Sequence, residues 1–353
     1  MRPSVRGSGN QRHRTVKRNL LVTGGAGFIG SNFIREVLAE DDVAKLINVD
    51  CLTYAGHLEN TQDFQAHSNY VFEQVDIRNK EALSNLVEQY EINGIIHFAA
   101  ESHVDRSIEG PDAFIHTNIL GTYHLLEACR HRWRGQEDRC RFLHVSTDEV
   151  YGSLAEDGVF TEETSYDPSS PYSASKAASD HLVRAYHRTY GLPAVITNCS
   201  NNFGPYQYPE KLIPVVIRSL QRREPIPIYG DGRNIRDWLF VTDHARAIWK
   251  VFREGQLGES YNISAENEWT NIDLVRLICQ IYDELSGESE SAVSLIQYVT
   301  DRPGHDRRYA LSSRKIREDL GWQSEFPFRQ SLEATVQWYL DHGAWIESVS
   351  SGS

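Results

Sequence analysis

Two short clusters of polar side chains are equipped for chemistry in this chain of 353 residues. The first is Tyr172 and Lys176, four positions apart in a segment that favours a helix, so both side chains lie on one helical face. A tyrosine hydroxyl, with an ordinary pKa of ~10, is a poor base near neutrality. A neighbouring ammonium stabilises the phenolate and lowers that pKa. The spacing predicts a tyrosine base assisted by lysine, although by itself it is common on protein surfaces.

The second cluster is Thr147, Asp148 and Glu149, which follow the apolar run from Phe142 to Val145. Sites in open α/β sheets form at the carboxyl ends of the strands. Two adjacent carboxylates in a cleft can have their pKa values driven apart, which gives one acid and one base, and Thr147 can bond a substrate hydroxyl. On local sequence alone, we favour the simpler interpretation that the two acids complement a helix dipole.

A glycine-rich turn joins the first apolar run, Leu20 to Thr23, to the first helix. Gly24, Gly27 and Gly30 fit the GxxGxxG spacing. Glycine permits the tight turn and lets the backbone approach a pyrophosphate, which the helix N-terminus then faces. Asp50, at the end of the second apolar run, lies 20 residues beyond Gly30, where a carboxylate meets the ribose 2′-hydroxyl of NAD rather than NADP.

Apolar runs alternate with helical segments through the first 200 residues, which predicts βαβ units and a parallel sheet. Beyond Asn202 prolines and glycines cluster. We therefore expect an α/β fold, a Rossmann-type doubly wound parallel sheet with a smaller C-terminal substrate lobe. The expected division is a disordered basic extension (1–18), an NAD-binding domain (19–200), a lobe with some segments returning to the first domain (201–345) and a loose tail (346–353).

Composition narrows the function classes. The net charge of −13 argues against a general nucleic-acid binder. No apolar run approaches the ~20 residues of a membrane span. The cysteines are scattered and odd in number, and none forms a CxxC pair, so we expect a reduced cytoplasmic setting and no metal.

Together these motifs resemble the extended short-chain dehydrogenase/reductase superfamily, and within it the dTDP-glucose 4,6-dehydratases. The resemblance runs from about Asn19 to Trp322. It is carried by TGGAGFIGSNF, HFAAESHVDRS, STDEVYG, YSASKA, NCSNNFGPYQYPEKLIP, YGDGRNIRDWLFVTDHARA and DRPGHDRRYA. Relatives that only epimerise C4 lack the Asp-Glu pair, which makes Asp148 and Glu149 the discriminating feature.

The resemblance implies an NAD-dependent hydro-lyase that turns dTDP-glucose into its 4-keto-6-deoxy sugar. Tyr172, helped by Lys176, would take the proton of the C4 hydroxyl. Glu149 would take the C5 proton, and Asp148 would protonate the departing C6 hydroxyl. Thr147 would bond a hydroxyl of the sugar. The expected cofactor contacts are Gly24, Gly27, Phe28, Ile29, Gly30, Asp50, Asp76, Ile77, Ala99, Ala100, Ser102, Asn118, Tyr172, Lys176 and Asn202. The expected substrate contacts are Ser102, Thr147, Asn201, Lys211, Leu212, Arg236, Asn271, Asp301 and His305.

Three alternatives stay open. Asn118 is as readily a residue that begins a helix. The substrate could carry uridine instead of thymidine, because one methyl group contributes only ~1–3 kcal/mol of discrimination. A C4 epimerase or a non-catalytic NAD-binding protein would share the fold. The family also implies a homodimer.

Overall fold

The computed structural model describes residues 17–287, 290–301 and 306–351. The expected basic extension therefore lies almost wholly outside the described residues, as does His305. Among the described residues, no helix combines the length and the apolar character needed to cross a membrane.

In the described part of the chain, seven parallel strands form the main sheet, in the order β3-β2-β1-β4-β5-β6-β10. The order reverses direction between β1 and β4, which places a ligand crevice there. The strands are β1 (Arg18–Thr23), β2 (Val43–Asp50), β3 (Tyr70–Gln74), β4 (Gly94–His97), β5 (Arg141–Thr147), β6 (Ala194–Cys199) and β10 (Ser260–Ile263). This is the expected doubly wound parallel sheet.

Helices cover both faces of this sheet. One face packs on α1 (Phe28–Val37), α8 (Val241–Glu254) and α10 (Arg314–Leu320). The other packs on α2 (Lys80–Gln89), α5 (Thr122–Arg132) and α6 (Pro171–Tyr190). The strands are buried on both faces, which explains their continuous apolar runs. Two short helices, α3 (Val104–Glu109) and α4 (Asp112–Phe114), precede a π-helical stretch, Ile115–Gly121, that continues into α5.

A second hydrophobic core holds the C-terminal part of the chain together. Its strands are β7 (Asn201–Phe203), β8 (Ile226–Tyr229), β9 (Ile235–Phe240), β11 (Glu268–Thr270) and β12 (Ile296–Val299). Its helices are α7 (Leu212–Arg222), α9 (Asn271–Ser286), α11 (Phe328–Asp341) and α12 (Gly343–Ser351). β7 pairs with β9 and β9 with β11, while β8 pairs with β12.

Two expectations about local structure were wrong. Asn118 does not begin a helix, because the helical run already starts at Asp112. Residues 346–351 are not a loose tail, because they belong to α12, which buries Ile346 and Val349 in the second core. These apolar positions are too few for their spacing to reveal a helix in the sequence.

Candidate active site

A cavity of about 340 Å³ opens at the carboxyl ends of the parallel strands. It brings together the glycine turn, Asp50, the acid pair and the Tyr172–Lys176 pair. Distant parts of the sequence meet here because parallel strands all end at the same edge of the sheet. Both predicted clusters therefore face one space.

The glycine turn is shaped for close approach. Gly24 has a φ of +73°, a left-handed conformation that favours glycine. A Cβ on Gly30 would lie 2.3 Å from the Gly24 carbonyl oxygen, so no larger residue fits there. The turn leads into α1, whose first backbone N–H groups have no partner within the helix. This cradle fits a dinucleotide pyrophosphate.

Asp50 is nearly buried beside the turn. Its carboxylate accepts hydrogen bonds from the backbone N–H groups of Ala26 (3.0 Å) and Leu52 (2.9 Å). Burial raises its pKa, and those backbone donors oppose the rise. Asp50 lines the cavity, as do Asp76 and Ile77 beyond β3. Asp76 also accepts from the guanidinium of Arg78 at 2.6 Å.

Tyr172 and Lys176 sit in the first turns of α6. Ser170 and Ser173 begin this helix with a reciprocal capping box, in which each side chain accepts the other's backbone N–H. Lys176 Nζ donates to the Val145 carbonyl at 2.8 Å. Burial lowers the pKa of Lys176 to about 8, and the nearby Asp180 carboxylate opposes that change.

The pKa of Tyr172 departs from the sequence expectation. Burial, followed by the nearby Glu149 carboxylate, raises it well above the ordinary value, while a hydrogen bond with Thr147 opposes the rise. The expected lowering by Lys176 was therefore wrong for the protein on its own. Desolvation penalises a phenolate more than the surrounding groups stabilise it. On its own, Tyr172 is therefore a neutral phenol, and it becomes a base when a bound positive charge offsets the charge of the phenolate.

The acid pair follows β5 directly. Asp148 and Glu149 begin a short 3₁₀ helix, Asp148–Tyr151, and Thr147 caps it by accepting the Glu149 N–H at 3.3 Å. Asp148 is only 3% exposed. Burial, then Glu149 and Asp237, raise the pKa of Asp148 well above its usual range. A carboxylic acid that stays protonated near neutrality can donate a proton.

The structure also places the remaining predicted residues. The contacts expected from the resemblance that line the cavity include Phe28, Ile29, Ala99, Ala100, Ser102, Asn201, Asn202 and Lys211. Lys211 Nζ donates to the Ser102 carbonyl at 3.4 Å, which joins the two parts of the chain across the cavity. Leu212, Arg236, Asn271 and Asp301 lie outside this lining.

Arg236 and Asn271 nevertheless have features that suit a ligand. The Arg236 guanidinium is nearly buried, donates to the Asp306 carbonyl at 2.9 Å and lies 4.4 Å from the centre of the Tyr309 ring. It is close enough to Asp148 to oppose the rise in that group's pKa. Asn271 Oδ1 is buried without a hydrogen-bond partner among the described residues. Such an acceptor suits a ligand donor.

Asn118 has a different environment from the one expected. Its side chain accepts from the Glu101 N–H (2.9 Å) and donates to the Glu101 carbonyl (3.0 Å) and to Ser175 Oγ (2.8 Å). Asn118 lies outside the cavity lining, but it fixes the backbone of the Ala99–Ser102 loop, whose residues line the cavity.

Sequence reasoning missed several polar or reactive residues of the cavity, among them Glu101, Cys199, Tyr208 and Glu210. Cys199 ends β6, so the rule about carboxyl ends of strands would have found it. Burial raises the pKa of its thiol to about 12. Glu101 and Glu210 stand inside two of the motifs, and Tyr208 packs its ring against His57 and Tyr54 at 5.6 Å.

Comparison with known proteins places the chain in a family. A family model described as GDP-mannose 4,6-dehydratase matches residues 21–335. The dTDP-glucose 4,6-dehydratase of Xanthomonas campestris pv. campestris (strain B100) is 51% identical over 339 residues, which are 94% of this chain and 96% of the relative. The dTDP-glucose 4,6-dehydratase 1 of Escherichia coli K12 is 52% identical over 349 residues, 95% and 96% of the two chains.

Comparison with solved structures supports the same family. The dTDP-glucose 4,6-dehydratase DesIV of Streptomyces venezuelae, solved with NAD and dTDP bound, superposes with a TM-score of 0.86 at 44% identity and covers 94% of this chain and 99% of its own. The UDP-glucose 4-epimerase of Thermus thermophilus, solved with NAD, gives a TM-score of 0.80 at 29% identity over 92% and 99% of the chains. The chain therefore belongs to the dTDP-glucose 4,6-dehydratase family of the extended short-chain dehydrogenase/reductase superfamily.

Proposed function

We propose that this protein is an NAD-dependent hydro-lyase that converts dTDP-glucose into dTDP-4-keto-6-deoxyglucose and water. The observation that carries the proposal is the acid pair, a buried Asp148 and a half-buried Glu149, in the same cavity as Tyr172 and Lys176. Epimerisation at C4 needs the tyrosine and lysine alone. Elimination of water also needs a base for a carbon-bound proton and an acid for the leaving hydroxyl.

The cofactor fits the cavity described above. Gly24, Gly27 and Gly30 leave room for a pyrophosphate, and Asp50 is positioned beside the turn for a ribose hydroxyl. When bound, NAD accepts a hydride from the sugar and later returns it, so that it is not consumed. The protein supplies the proton transfers and the alignment.

Tyr172 is proposed to take the proton of the C4 hydroxyl as the C4 hydrogen leaves as hydride. Because its pKa is raised, Tyr172 first has to release its own proton to solvent, and the positive charge of bound NAD, beside the Lys176 ammonium, would favour the phenolate that then accepts the C4 hydroxyl proton. The Lys176 ammonium, held on the Val145 carbonyl, stabilises the phenolate before it takes the proton. The product of this step is a ketone at C4.

The ketone acidifies the hydrogen at C5. Glu149 is proposed to remove that proton, and Asp148, whose raised pKa keeps it protonated, gives its proton to the C6 hydroxyl, which leaves as water. Hydride then returns to C6, and Glu149 returns a proton to C5. The sugar has lost one water with no net oxidation or reduction, and proton exchange between Tyr172, Asp148 and solvent resets the enzyme.

The nucleotide is proposed to bind toward the C-terminal lobe. Arg236 suits a diphosphate because its planar fork donates two hydrogen bonds to phosphate oxygens. Ser102, Thr147, Asn201 and Lys211 line the cavity and are proposed to contact the sugar. Leu212, Asn271 and Asp301, with His305 outside the described residues, are proposed to contact the nucleotide.

The first test is to incubate the purified protein separately with dTDP-glucose and UDP-glucose and to follow the products by mass spectrometry, with no added reductant. Loss of one water from dTDP-glucose supports the proposal and its nucleotide. Loss from UDP-glucose alone keeps the elimination and changes the substrate. No change in mass with either sugar contradicts the proposal, and products should then be examined for C4 epimers, which have unchanged mass.

We further propose that the enzyme works as a homodimer in the cytoplasm. Exposed apolar side chains, Ile108, Ile115 and Leu120, are 39–53% accessible on the helical run before and into α5, where a second copy could cover them. Sedimentation analysis tests the dimer, and an Ile115→Glu variant should shift it toward monomer.

A further inference from the structure

Buried hydrogen bonds connect the two C-terminal helices, α11 and α12, to segments that line the dinucleotide cleft. On α12, Trp345 Nε1 donates to Asn60 Oδ1 at 2.8 Å. Asn60 Nδ2 in turn donates to the Ala26 carbonyl at 2.8 Å, within the glycine turn. Trp345 is 9% exposed and Asn60 is 1% exposed, so water does not replace either bond easily. One side chain thus connects α12 to the pyrophosphate turn.

A second connection starts on α11 and reaches the other half of the cavity. Tyr339 Oη donates to the Gln207 carbonyl at 2.6 Å. Gln207 Nε2 donates to the Asn202 carbonyl at 2.8 Å, and both Gln207 and Asn202 line the cavity near Cys199. Burial raises the pKa of Tyr339 far above its ordinary value, so its hydroxyl remains a donor.

Aromatic packing joins the two connections. The Tyr206 ring lies 4.6 Å from the Trp338 ring and 5.9 Å from the Trp345 ring. On its other side, the Arg35 guanidinium lies 4.0 Å from the centre of the Tyr206 ring and donates to the Asn60 carbonyl. One cluster of side chains, formed by Arg35, Tyr206, Trp338 and Trp345, therefore joins the segments around Asn60 and Gln207 to the C-terminal helices.

We propose that α11 and α12 clamp the dinucleotide cleft, and that Trp345 and Tyr339 are positioning residues that keep NAD bound during turnover. The proposal rests on the proposed function, because a cofactor that takes a hydride from C4 and returns it to C6 must not leave between the two steps. Without Trp345 Nε1, Asn60 Oδ1 becomes a buried acceptor with no donor, and the Asn60 amide is free to rotate away from Ala26. The glycine turn then loses a bond that fixes its shape.

The test uses Trp345→Phe and Tyr339→Phe in the full-length chain. Phenylalanine keeps an aromatic ring in the cluster and removes the donor. We measure the NAD retained through purification, as nucleotide released on denaturation, and the rate of NAD loss after dilution. An unpaired buried acceptor should speed NAD dissociation about tenfold or more. Activity should fall on dilution and be restored by added NAD.

The matched control is Val349→Ala. Val349 is fully buried on the same helix and its side chain is purely apolar, so this change should lower thermal stability and leave NAD retention as in the wild type. Wild-type retention in both phenylalanine variants overturns the clamp, as does equal loss of NAD in Val349→Ala. The NAD measurement needs no sugar. A wild-type protein that retains NAD but dehydrates no sugar would contradict the proposed function and leave the clamp standing.

Discussion

Replacing Asp180 by asparagine should change how turnover depends on pH. Asp180 lies one helical turn beyond Lys176 and is fully buried. Its carboxylate accepts from Ser146 Oγ at 2.9 Å and from Tyr166 Oη at 2.7 Å, and it lies 3.3 Å from His144 Nε2. Burial lowers the pKa of His144 to about 4, so this histidine is neutral at pH 7. Asp180 therefore provides the negative charge that stabilises the Lys176 ammonium.

The magnitude follows from the charge balance at Lys176. Burial lowers its pKa from 10.5 to about 8, and Asp180 is the main group that opposes this change. Removing an opposite charge at close range typically changes a pKa by about 1 to 3. Lys176 acts as a cation, which is abundant below its pKa and is lost as pH rises through it. The alkaline limb of the pH profile should therefore move to lower pH, with activity at pH 8 falling about fivefold or more.

The assay is kcat/KM for dTDP-glucose across the pH range, with NAD saturating. Ser146→Ala is the matched control, because it removes one hydrogen bond to the same carboxylate and leaves the charge in place, so its alkaline limb should not move. His97 also faces this region, and burial keeps it neutral by lowering its pKa far below the usual value. A uniform loss of activity in Asp180→Asn at every pH, with no shift of the limb, would refute the reasoning.

Three further changes test the site. Asp148→Asn should slow turnover about 10²- to 10⁴-fold. Reduced cofactor should accumulate, because oxidation at C4 proceeds while water cannot leave. Unchanged turnover would mean that Asp148 is not the acid. Tyr172→Phe should lower kcat by a similar factor without that accumulation, since it blocks the first step, and rapid spectroscopy of the nicotinamide distinguishes the two. Gly30→Ala should reduce the NAD content of the purified protein, because the alanine Cβ would lie 2.3 Å from the Gly24 carbonyl oxygen. Full NAD content in a folded variant would mean that the turn can open to admit a side chain.

Much of the fold and site could be predicted from local sequence. The apolar runs ended within two residues of the strand ends, and the glycine turn, Asp50 and the acid pair lay at or just beyond the ends of such runs. Since parallel strands share a carboxyl edge, this order was enough to bring Asp50 and Glu149 to one cleft, whereas Tyr172, on α6, was joined to them through the family resemblance. Helix starts were less accurate, as at Asn118, because the residues before it carry no periodic apolar pattern.

The tertiary structure alone decided how these groups behave. The direction of the Tyr172 pKa depends on desolvation and on Glu149, and neither the depth of burial nor that proximity is encoded in the YxxxK spacing. The bond between Trp345 and Asn60 joins residues 285 positions apart. Sequence patterns report which face of an element is apolar, whereas the partners that distant segments find depend on how those faces pack.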